Sequence, residues 1–524
     1  MKSLRFVCWS AVLVSSTYMS VLVAAQSNPA AHVNQANSLL DAQELSTSVT
    51  TKPGLAVGVP IFGKPVTYDS GGNFVGALAV ADVNGDGRPD VVAANGGSPT
   101  VSVLLGNGDG TLQSPVSYDL GVEATSVAIE DVNGDGRPDL ILATYYEAGN
   151  SNSGGVAVLL GNGDGTFQAP VSYSSGGYEA RSVAIADMNG DGRPDLIVGN
   201  QCQSSTECLG SYGSVGVLLG NGDGTFQAPV SYLTVGDMQW MAVADLNGDG
   251  APDLVAAGQE QFVGVLLGNG DGAFQPVTPY NAGGAAGALA VADVNGDGKL
   301  DVITAVDCPN GCPTTALSVL SGNGDGTFQA PILTPTAALY FSIAIKDLDG
   351  DGKLDLVGQT GGHAEAMLGN GDGTFVQSEQ KYRDSGLKLV VSGAIADLNG
   401  DGKPDMLMGG ECSKCQNPNL NLLVLLNIFD AGSATAVTSS PNPSLVNQSV
   451  TFTATVTSDP PIPDSEVITF SSGKNNLGTG TIKNGVASLT TSFSKAGTHT
   501  VKASYAGDRF HKPSSGLVKQ VVNH

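Results

Sequence analysis

The 524-residue sequence has little charge, and very little of it is positive. Only 14% of the residues are charged, and 23 Lys and Arg stand against 49 Asp and Glu, for a formal net charge of −26. So acidic a chain repels phosphate backbones and anionic lipid surfaces, which argues against nucleic acid as a partner. The excess of carboxylates favours cations as ligands instead.

Histidine is scarce as well, and this limits the enzymes that the chain could be. Of its five His, only His363 falls within the repeats described below, where we interpret it as an exposed loop residue. A Ser-His-Asp catalytic arrangement therefore has little support. A pair of carboxylates for glycoside cleavage stays open, because the sequence does not show distances between distant acids. An enzyme is thus less expected than a binding protein.

Long apolar runs are missing after residue 25, so no membrane-spanning helix is predicted. The first 25 residues differ: Lys2 and Arg5 precede an apolar run, and small residues at 23–25 offer a cleavage site. This pattern is typical of an export signal. We expect a secreted or cell-surface protein. Six Cys follow in three close pairs, which suits an oxidising compartment and predicts the disulfides Cys202–Cys208, Cys308–Cys312 and Cys412–Cys415.

One acidic nonapeptide occurs seven times, 48 to 58 residues apart. Its first copy, Asp82 to Asp90, reads DVNGDGRPD, and a β-branched segment follows. Alternating carboxylate, amide and main-chain oxygens suit a hard cation with six or more oxygen ligands, which favours Ca²⁺ over Mg²⁺. Position 12 lacks the Glu of an EF-hand, and no helix pattern flanks the loop.

We therefore predict about seven Ca²⁺ sites, each using side chains at positions 1, 3, 5 and 9 and the carbonyl at position 7. The predicted ligands are Asp82, Asn84, Asp86, Arg88, Asp90; Asp131, Asn133, Asp135, Arg137, Asp139; Asp187, Asn189, Asp191, Arg193, Asp195; Asp245, Asn247, Asp249, Ala251, Asp253; Asp293, Asn295, Asp297, Lys299, Asp301; Asp347, Asp349, Asp351, Lys353, Asp355; and Asp397, Asn399, Asp401, Lys403, Asp405.

Each repeat also contains four short segments with strand alternation, and an NGDG turn lies between the last two. Seven such units predict an all-β chain with a seven-bladed β-propeller at 61–429. The seventh unit lacks its last strand, while Ile61 to Tyr68 matches that strand, so we expect the N-terminal segment to complete the last blade. Residues 26–60 are interpreted as a linker, and the Thr/Val-rich residues 430–524 as an Ig-like β-sandwich.

The order of strands sorts the loops onto two faces. The acidic loops and the NGDG turns belong to one face, and the long insertions to the other. Trp240 stands where the other copies have Ala or Ser, and it is either a platform for ligand or a packing variation. Tyr145 and Tyr146, in a long insertion, are ambiguous in the same way.

The units D-x-N-G-D-G-x-x-D and L-L-G-N-G-D-G-T-F resemble the FG-GAP, or VCBS, repeats of integrin α-subunit heads and many exported bacterial proteins. The resemblance implies calcium in hairpin loops on one face and partner contacts on the other. The tail resembles a bacterial Ig-like domain. We expect a monomeric recognition or adhesion module for an extracellular protein or glycan; an extracellular polysaccharide lyase or glycoside hydrolase, or a scaffold without a ligand, remain alternatives.

Overall fold

The computed structural model describes residues 61–204, 212–258, 260–307, 315–382, 387–412, 420–458, 461–508 and 510–524. All regular elements in these ranges are β-strands, which confirms the all-β prediction. Seven antiparallel four-stranded sheets, numbered here in chain order, precede a three-stranded and a five-stranded sheet.

Within sheets one to six the strands pair in chain order, whereas sheet seven takes one strand from the start of the chain. The strands are β1 (Val66–Asp69), outermost in sheet seven; β2 (Val75–Ala81), β3 (Asp90–Asn95), β4 (Thr100–Leu104) and β5 (Val116–Asp119) in sheet one; β6 (Ala124–Glu130), β7 (Asp139–Thr144), β8 (Gly155–Leu159) and β9 (Val171–Ser174) in sheet two; β10 (Tyr178–Ala186), β11 (Asp195–Cys202), β12 (Ser214–Leu218) and β13 (Val230–Leu233) in sheet three; β14 (Met238–Ala244), β15 (Asp253–Gly258), β16 (Phe262–Leu266) and β17 (Thr278–Asn281) in sheet four; β18 (Ala285–Ala292), β19 (Asp301–Asp307), β20 (Thr315–Leu320) and β21 (Ile332–Pro335) in sheet five; β22 (Ser342–Lys346), β23 (Asp355–Gln359), β24 (Ala364–Gly369) and β25 (Phe375–Tyr382) in sheet six; and β26 (Leu387–Ala396), β27 (Asp405–Cys412) and β28 (Leu420–Leu425) in sheet seven.

The first strands of the seven sheets form a closed ring. Each of them contacts the first strand of the next sheet, and β26 of sheet seven contacts β2 of sheet one. Outside this ring, β1 pairs with β28 in antiparallel register, with Val66 opposite Val424, and Phe62 bridges to Asn427. The expected completion of the last sheet by the N-terminal strand is confirmed. The ring leaves no first strand without a neighbour.

The core lies between neighbouring sheets, because the middle strands bury both of their faces. Every residue of β3 and β7 is buried, and Val92 and Leu140 meet in one cluster between sheets one and two. An aromatic pair further out recurs at this junction: Tyr118 and Phe167 pack edge to face at 5.8 Å. The same pairing joins the next sheets around the ring, at Tyr173–Phe226, Tyr232–Phe274 and Tyr280–Phe328. Each pair contributes about 0.5–1.5 kcal/mol beyond its buried area.

The C-terminal region is a sandwich with its own core. Its three-stranded sheet contains β29 (Ser433–Ser440), β31 (Ser449–Ser458) and β34 (Val486–Ser492); its five-stranded sheet contains β30 (Ser444–Leu445), β32 (Val467–Ser472), β33 (Asn475–Thr481), β35 (Gly497–Tyr505) and β36 (Ser514–Asn523). Phe452 and Phe470 lie fully buried between these sheets. A separate cluster joins the sandwich to the propeller, where Phe429 and Phe510 pack with Leu348 beside sheet six.

Candidate functional site

Each acidic loop folds around the carboxylate of its first Asp. In the first loop, Asp82 Oδ1 accepts hydrogen bonds from the amides of Gly85 and Asp86, at 2.8 and 3.1 Å. Its Oδ2 accepts one from Gly87 at 2.7 Å. The bond from the glycine five residues on recurs in the other six loops, at Gly136, Gly192, Gly250, Gly298, Gly352 and Gly402. The loop thus draws side-chain oxygens and backbone amides together over a few residues.

The two glycines of the N-G-D-G segment are required by backbone conformation. Gly85 and Gly87 have φ angles of +76° and +81°, in the left-handed region that other residues adopt at a cost. A Cβ at either position would meet no neighbouring atom, so the constraint is the φ angle rather than space. Both lie on the exposed rim of the loop.

The last Asp of each loop is buried and fastens the loop to the sheet. Asp90 is 0% exposed; its Oδ2 accepts the amide of Val83 at 3.0 Å, and its Oδ1 accepts the amide of Gly106 at 2.8 Å. The same pair of bonds recurs at Asp139 (Val132, Gly161), Asp195 (Met188, Gly220), Asp253 (Leu246, Gly268), Asp301 (Val294, Gly322), Asp355 (Leu348, Gly369) and Asp405 (Leu398, Asn427). We refer to these seven residues as the closing aspartates.

The sequence identified the closing aspartates only as metal ligands and missed their structural bonds. Burial raises the pKa of Asp90 and the bonds from Gly106 and Val83 lower it, with a net rise. Burial raises the pKa of Asp405 in the same way, to about 6. Because each carboxylate oxygen has two lone pairs, one accepted hydrogen bond leaves room for a metal. Their role as ligands therefore stays a prediction.

The donor set of these loops fits a hard cation, and the sixth loop fits best. Oxygens of Asp347, Asp349 and Asp355 all lie within 4.8 Å of one another, and it is the one such acidic group among the described residues. Asp349 replaces the Asn of the other copies and is fully buried. Carboxylates this close repel one another unless a cation or a proton neutralises them.

The sixth loop is also the one that the C-terminal region covers. Gly350 packs against the ring of Phe510, so that a Cβ there would clash with it. At the matching glycine of the first loop, Gly85, nothing lies within 4 Å. Sequence reasoning treated the seven loops alike and missed this difference.

The NGDG turns lie beside the acidic loops, as predicted. A Cβ at Gly108 would lie 2.8 Å from the side chain of Arg88, so the two turns of this sheet share one face, the acidic-loop face. Within the turn, Asp109 accepts hydrogen bonds from the hydroxyl and the amide of Thr111. These bonds lower its pKa. The carboxylate of Asp109 thus stabilises the hairpin turn to which it belongs.

At the other end of the ring, the opposite face, the first strands surround a cavity of about 240 Å³. All seven sheets contribute to its wall, mainly through their inner strands. Trp240 lines this cavity, half-buried, and also packs against the cluster between sheets four and five. The packing of Trp240 is thus observed, and its use as a platform for ligand stays a prediction. Gln239 beside it lines the cavity as well and is only 7% exposed.

Tyr145 and Tyr146 belong to a half-buried cluster next to this cavity. Their rings meet edge to face at 4.6 Å, and the guanidinium of Arg181 lies 4.8 Å from the centre of the Tyr145 ring. Arg181 forms an ion pair of 2.9 Å with Glu179 and reaches the cavity wall. Burial raises the pKa of both tyrosines, so their hydroxyls stay protonated.

Sequence reasoning missed Arg181 and Gln239, although a signal was present. Six residues before the acidic loop, the seven copies carry Gly76, Thr125, Arg181, Gln239, Gly287, Phe341 and Val391. Because this position varies in an otherwise regular repeat, the fold does not require a particular side chain there.

Three further predictions have partial outcomes. His363 is not an exposed loop residue: its side chain is 17% exposed and its Nε2 lies 2.7 Å from Oε1 of the buried Glu365. Cys202 is disulfide-bonded, while its expected partner Cys208 lies outside the described residues. The pairs Cys308–Cys312 and Cys412–Cys415 also involve positions outside that range, so they stay predictions.

Comparisons with known proteins agree with this architecture. A model of the FG-GAP-like repeat matches at 82–142, 131–198, 208–256, 245–304, 310–358 and 347–408, and a model of the bacterial Ig-like domain (group 3) matches at 437–523. No curated protein matches the chain.

Solved structures match as well. One is a lectin of Agrocybe aegerita that recognises non-reducing terminal N-acetylglucosamine, at 26% identity over 58% of this chain and 81% of that one, with a TM-score of 0.43. Another is BBS1N in complex with ARL6DN, soaked with mercury, at 11% identity over 70% of this chain and 96% of that one, with a TM-score of 0.46.

The fold and the repeated loops define a β-propeller of the integrin-like kind that carries a C-terminal Ig-like domain. The chain belongs to the FG-GAP-like repeat family, since matched repeats span more than half of its length. Among the described residues there is no helix of the length and hydropathy that a membrane crossing needs.

Proposed function

We propose that this protein is an exported, calcium-stabilised recognition or adhesion module that binds an extracellular glycan or protein at the opposite face. The observation that carries the proposal is the contrast between the ends of the ring. One end repeats a single bonding pattern seven times, and at the other end the seven sheets line a cavity with residues as different as Gly76, Arg181 and Gln239. A concave site with aromatic walls and a few convergent polar groups is the usual form of a ligand site.

Calcium would be held by positions 1, 3, 5 and 9 of each acidic loop and by the carbonyl at position 7. Bound metal would neutralise the acids of each loop and so stabilise the sheets by mass action. The sixth loop supports this best, because its three clustered carboxylates include two that are buried. The residues of the chain itself supply the loop geometry, through the amides bonded to Asp347.

An array of glycans and extracellular proteins, probed in calcium, tests the proposal. Trp240→Ala and Tyr146→Ala should each reduce binding about tenfold or more, since buried aromatic anchors dominate binding energy. The matched controls are Val116→Ala and Val171→Ala, whose side chains are 52% and 53% exposed where β5 and β9 begin, at the acidic-loop face. Binding that is equal in all four variants would contradict the placement of the site. Turnover of a saccharide without stable binding would favour an enzyme instead.

A further inference from the structure

The cavity on the opposite face has a neutral lining. Arg181 is the only charged residue among those that line it, and Glu179 pairs with its guanidinium. The Nε of Arg181 also donates to Gln201 at 2.9 Å. A ligand with a full charge would therefore meet no unpaired counter-charge in this wall. A neutral ligand is favoured.

Two buried polar groups in the wall lack partners. Gln239 Nε2 and Ser392 Oγ have no hydrogen-bond partner within the described part of the chain, and their residues are only 7% and 6% exposed. An unsatisfied buried donor or acceptor costs about 1–3 kcal/mol. Both residues line the same cavity, from sheets four and seven. A ligand in the cavity that offers both hydrogen-bond acceptors and donors would satisfy these two groups.

Aromatic side chains supply the remaining walls. Trp240, Phe74 and Phe341 line the cavity from sheets four, one and six, and the tip of the indole ring comes within 4.0 Å of the position of a Cβ at Gly287. The ring therefore extends from sheet four toward sheet five. Faces of this kind accept the C–H surface of a flat, polar ring, while the amide and the hydroxyl take its polar edge.

The size of the cavity limits the ligand. Its volume of about 240 Å³ is below the roughly 300 Å³ at which pockets for drug-sized ligands begin. One sugar ring fits this space, and a longer chain would have to project from it toward solvent.

We propose that the cavity binds one neutral sugar unit of an extracellular glycan, with Trp240 stacking on the ring and Gln239 and Ser392 hydrogen-bonding to its hydroxyl or acetamido groups. This inference rests on the proposed function and assigns its ligand class and contact residues. Thr125, also in the wall, already bonds to the carbonyls of Ala143 and Ala180 and has a structural role.

Tryptophan fluorescence offers a direct test. The chain has two Trp, Trp9 and Trp240, so the full chain with Trp9→Phe reports from the cavity alone. It is titrated in calcium with the methyl glycosides of neutral hexoses and N-acetylhexosamines. Glucuronate and glucosamine serve as anionic and cationic probes. At least one neutral glycoside should change the emission saturably, and the charged sugars should bind at least tenfold more weakly.

Variants then separate a site in the cavity from binding elsewhere. Gln239→Leu and Ser392→Ala should each weaken the neutral glycoside about tenfold, the loss expected for one hydrogen bond in a closed site. Gln168→Leu, an exposed residue near an NGDG turn, should bind like the parent. Melting curves confirm that each variant is folded.

The outcomes distinguish this inference from the function on which it rests. Saccharide affinity that is unchanged in Gln239→Leu and Ser392→Ala would overturn the cavity site but leave the proposed recognition function standing. Array ligands that need Trp240, without any response to free sugars, would show that the cavity holds only water. Absence of every ligand from the array and the titration would overturn both.

Discussion

The two faces of the propeller are built from the same strands and follow different rules. On the acidic-loop face, a closing aspartate such as Asp90 makes the same two backbone bonds in all seven sheets. On the opposite face, matching positions hold residues as different as Gly76 and Arg181. On the acidic-loop face, the closed ring depends on a bonding pattern that is repeated in every sheet. On the opposite face, the ring does not require a particular residue at the matching positions. The proposed function assigns stability to the acidic-loop face and recognition to the opposite face.

Removal of metal should produce the largest change, because it acts on every acidic loop together. We expect EDTA to lower the melting temperature by at least about 10 °C, since each occupied site contributes by mass action, about 2.7 kcal/mol at a hundredfold excess over its Kd. Calorimetry with calcium, magnesium and EDTA measures this. An unchanged melting curve would contradict the calcium sites and the stabilising role proposed for the acidic-loop face.

Loss of one closing aspartate should also have a large effect. Asp90→Ala leaves the buried amides of Val83 and Gly106 without an acceptor, so we expect a loss of about 2–5 kcal/mol in the free energy of unfolding. Asp109→Ala, on the same face but exposed, is the control and should cost clearly less. Urea unfolding compares them. Equal losses would mean that the buried bonds do not distinguish the two acids.

The contact between Phe510 and the sixth loop provides a third test on the acidic-loop face. Phe510→Ala removes the ring that packs on Gly350, and Phe-to-Ala changes in a core cost about 3–5 kcal/mol. Since the other loops lack this cover, we expect only the sixth to become more accessible. Hydrogen exchange at the amides of residues 348–352 measures it, with 83–87 as the internal control. Uniform exchange changes in both loops would contradict a local contact.

The smallest effect should come from pH at the opposite face. Glu365 is buried; burial raises its pKa, but hydrogen bonds from His363 and Lys381 outweigh this and hold the pKa below its ordinary value of 4.5. Its contribution to stability is therefore complete above that value and is lost as the pH falls through the lower folded pKa.

Glu365→Gln should accordingly cost about 1–3 kcal/mol at pH 7, and the difference from the parent should shrink as the pH falls below 4. The closing aspartates Asp90 and Asp405 have raised pKa values, so without metal their contribution to stability changes in the opposite sense, decreasing as the pH rises through the folded pKa. The difference between variant and parent cancels that background. A difference that does not vary with pH would contradict an ionised Glu365.

Much of the fold could be predicted because its determinants are local in the sequence. The N-G-D-G segments fix the turns through residues with positive φ, and strand alternation fixes the faces, so sheets and loops follow from short stretches. The closing aspartates show the limit: the second partner of Asp90 is Gly106, in the next hairpin, and no spacing within the nonapeptide points to it.

The candidate site on the opposite face was only partly predictable for the same reason. Trp240 stood out against its neighbours in the repeat, but Gln239 and Ser392 are 153 residues apart and meet only because the ring closes. Likewise, the contact between Phe510 and the sixth loop joins two domains. Such contacts depend on how whole sheets are arranged, which residue patterns do not record.

The pairing of β1 with β28 means that the ring is entered and left at one place. The carbonyl oxygen of Ile61 accepts a hydrogen bond from the amide of Ile428 at 2.8 Å. The chain therefore enters and leaves the ring through two adjacent segments of sheet seven. A pull on the segments at residues 61 and 428 would load this pairing first and peel β1 away before any other sheet of the propeller carried force. If the protein acts in adhesion as proposed above, mechanical failure would begin at β1, with the opposite face still intact.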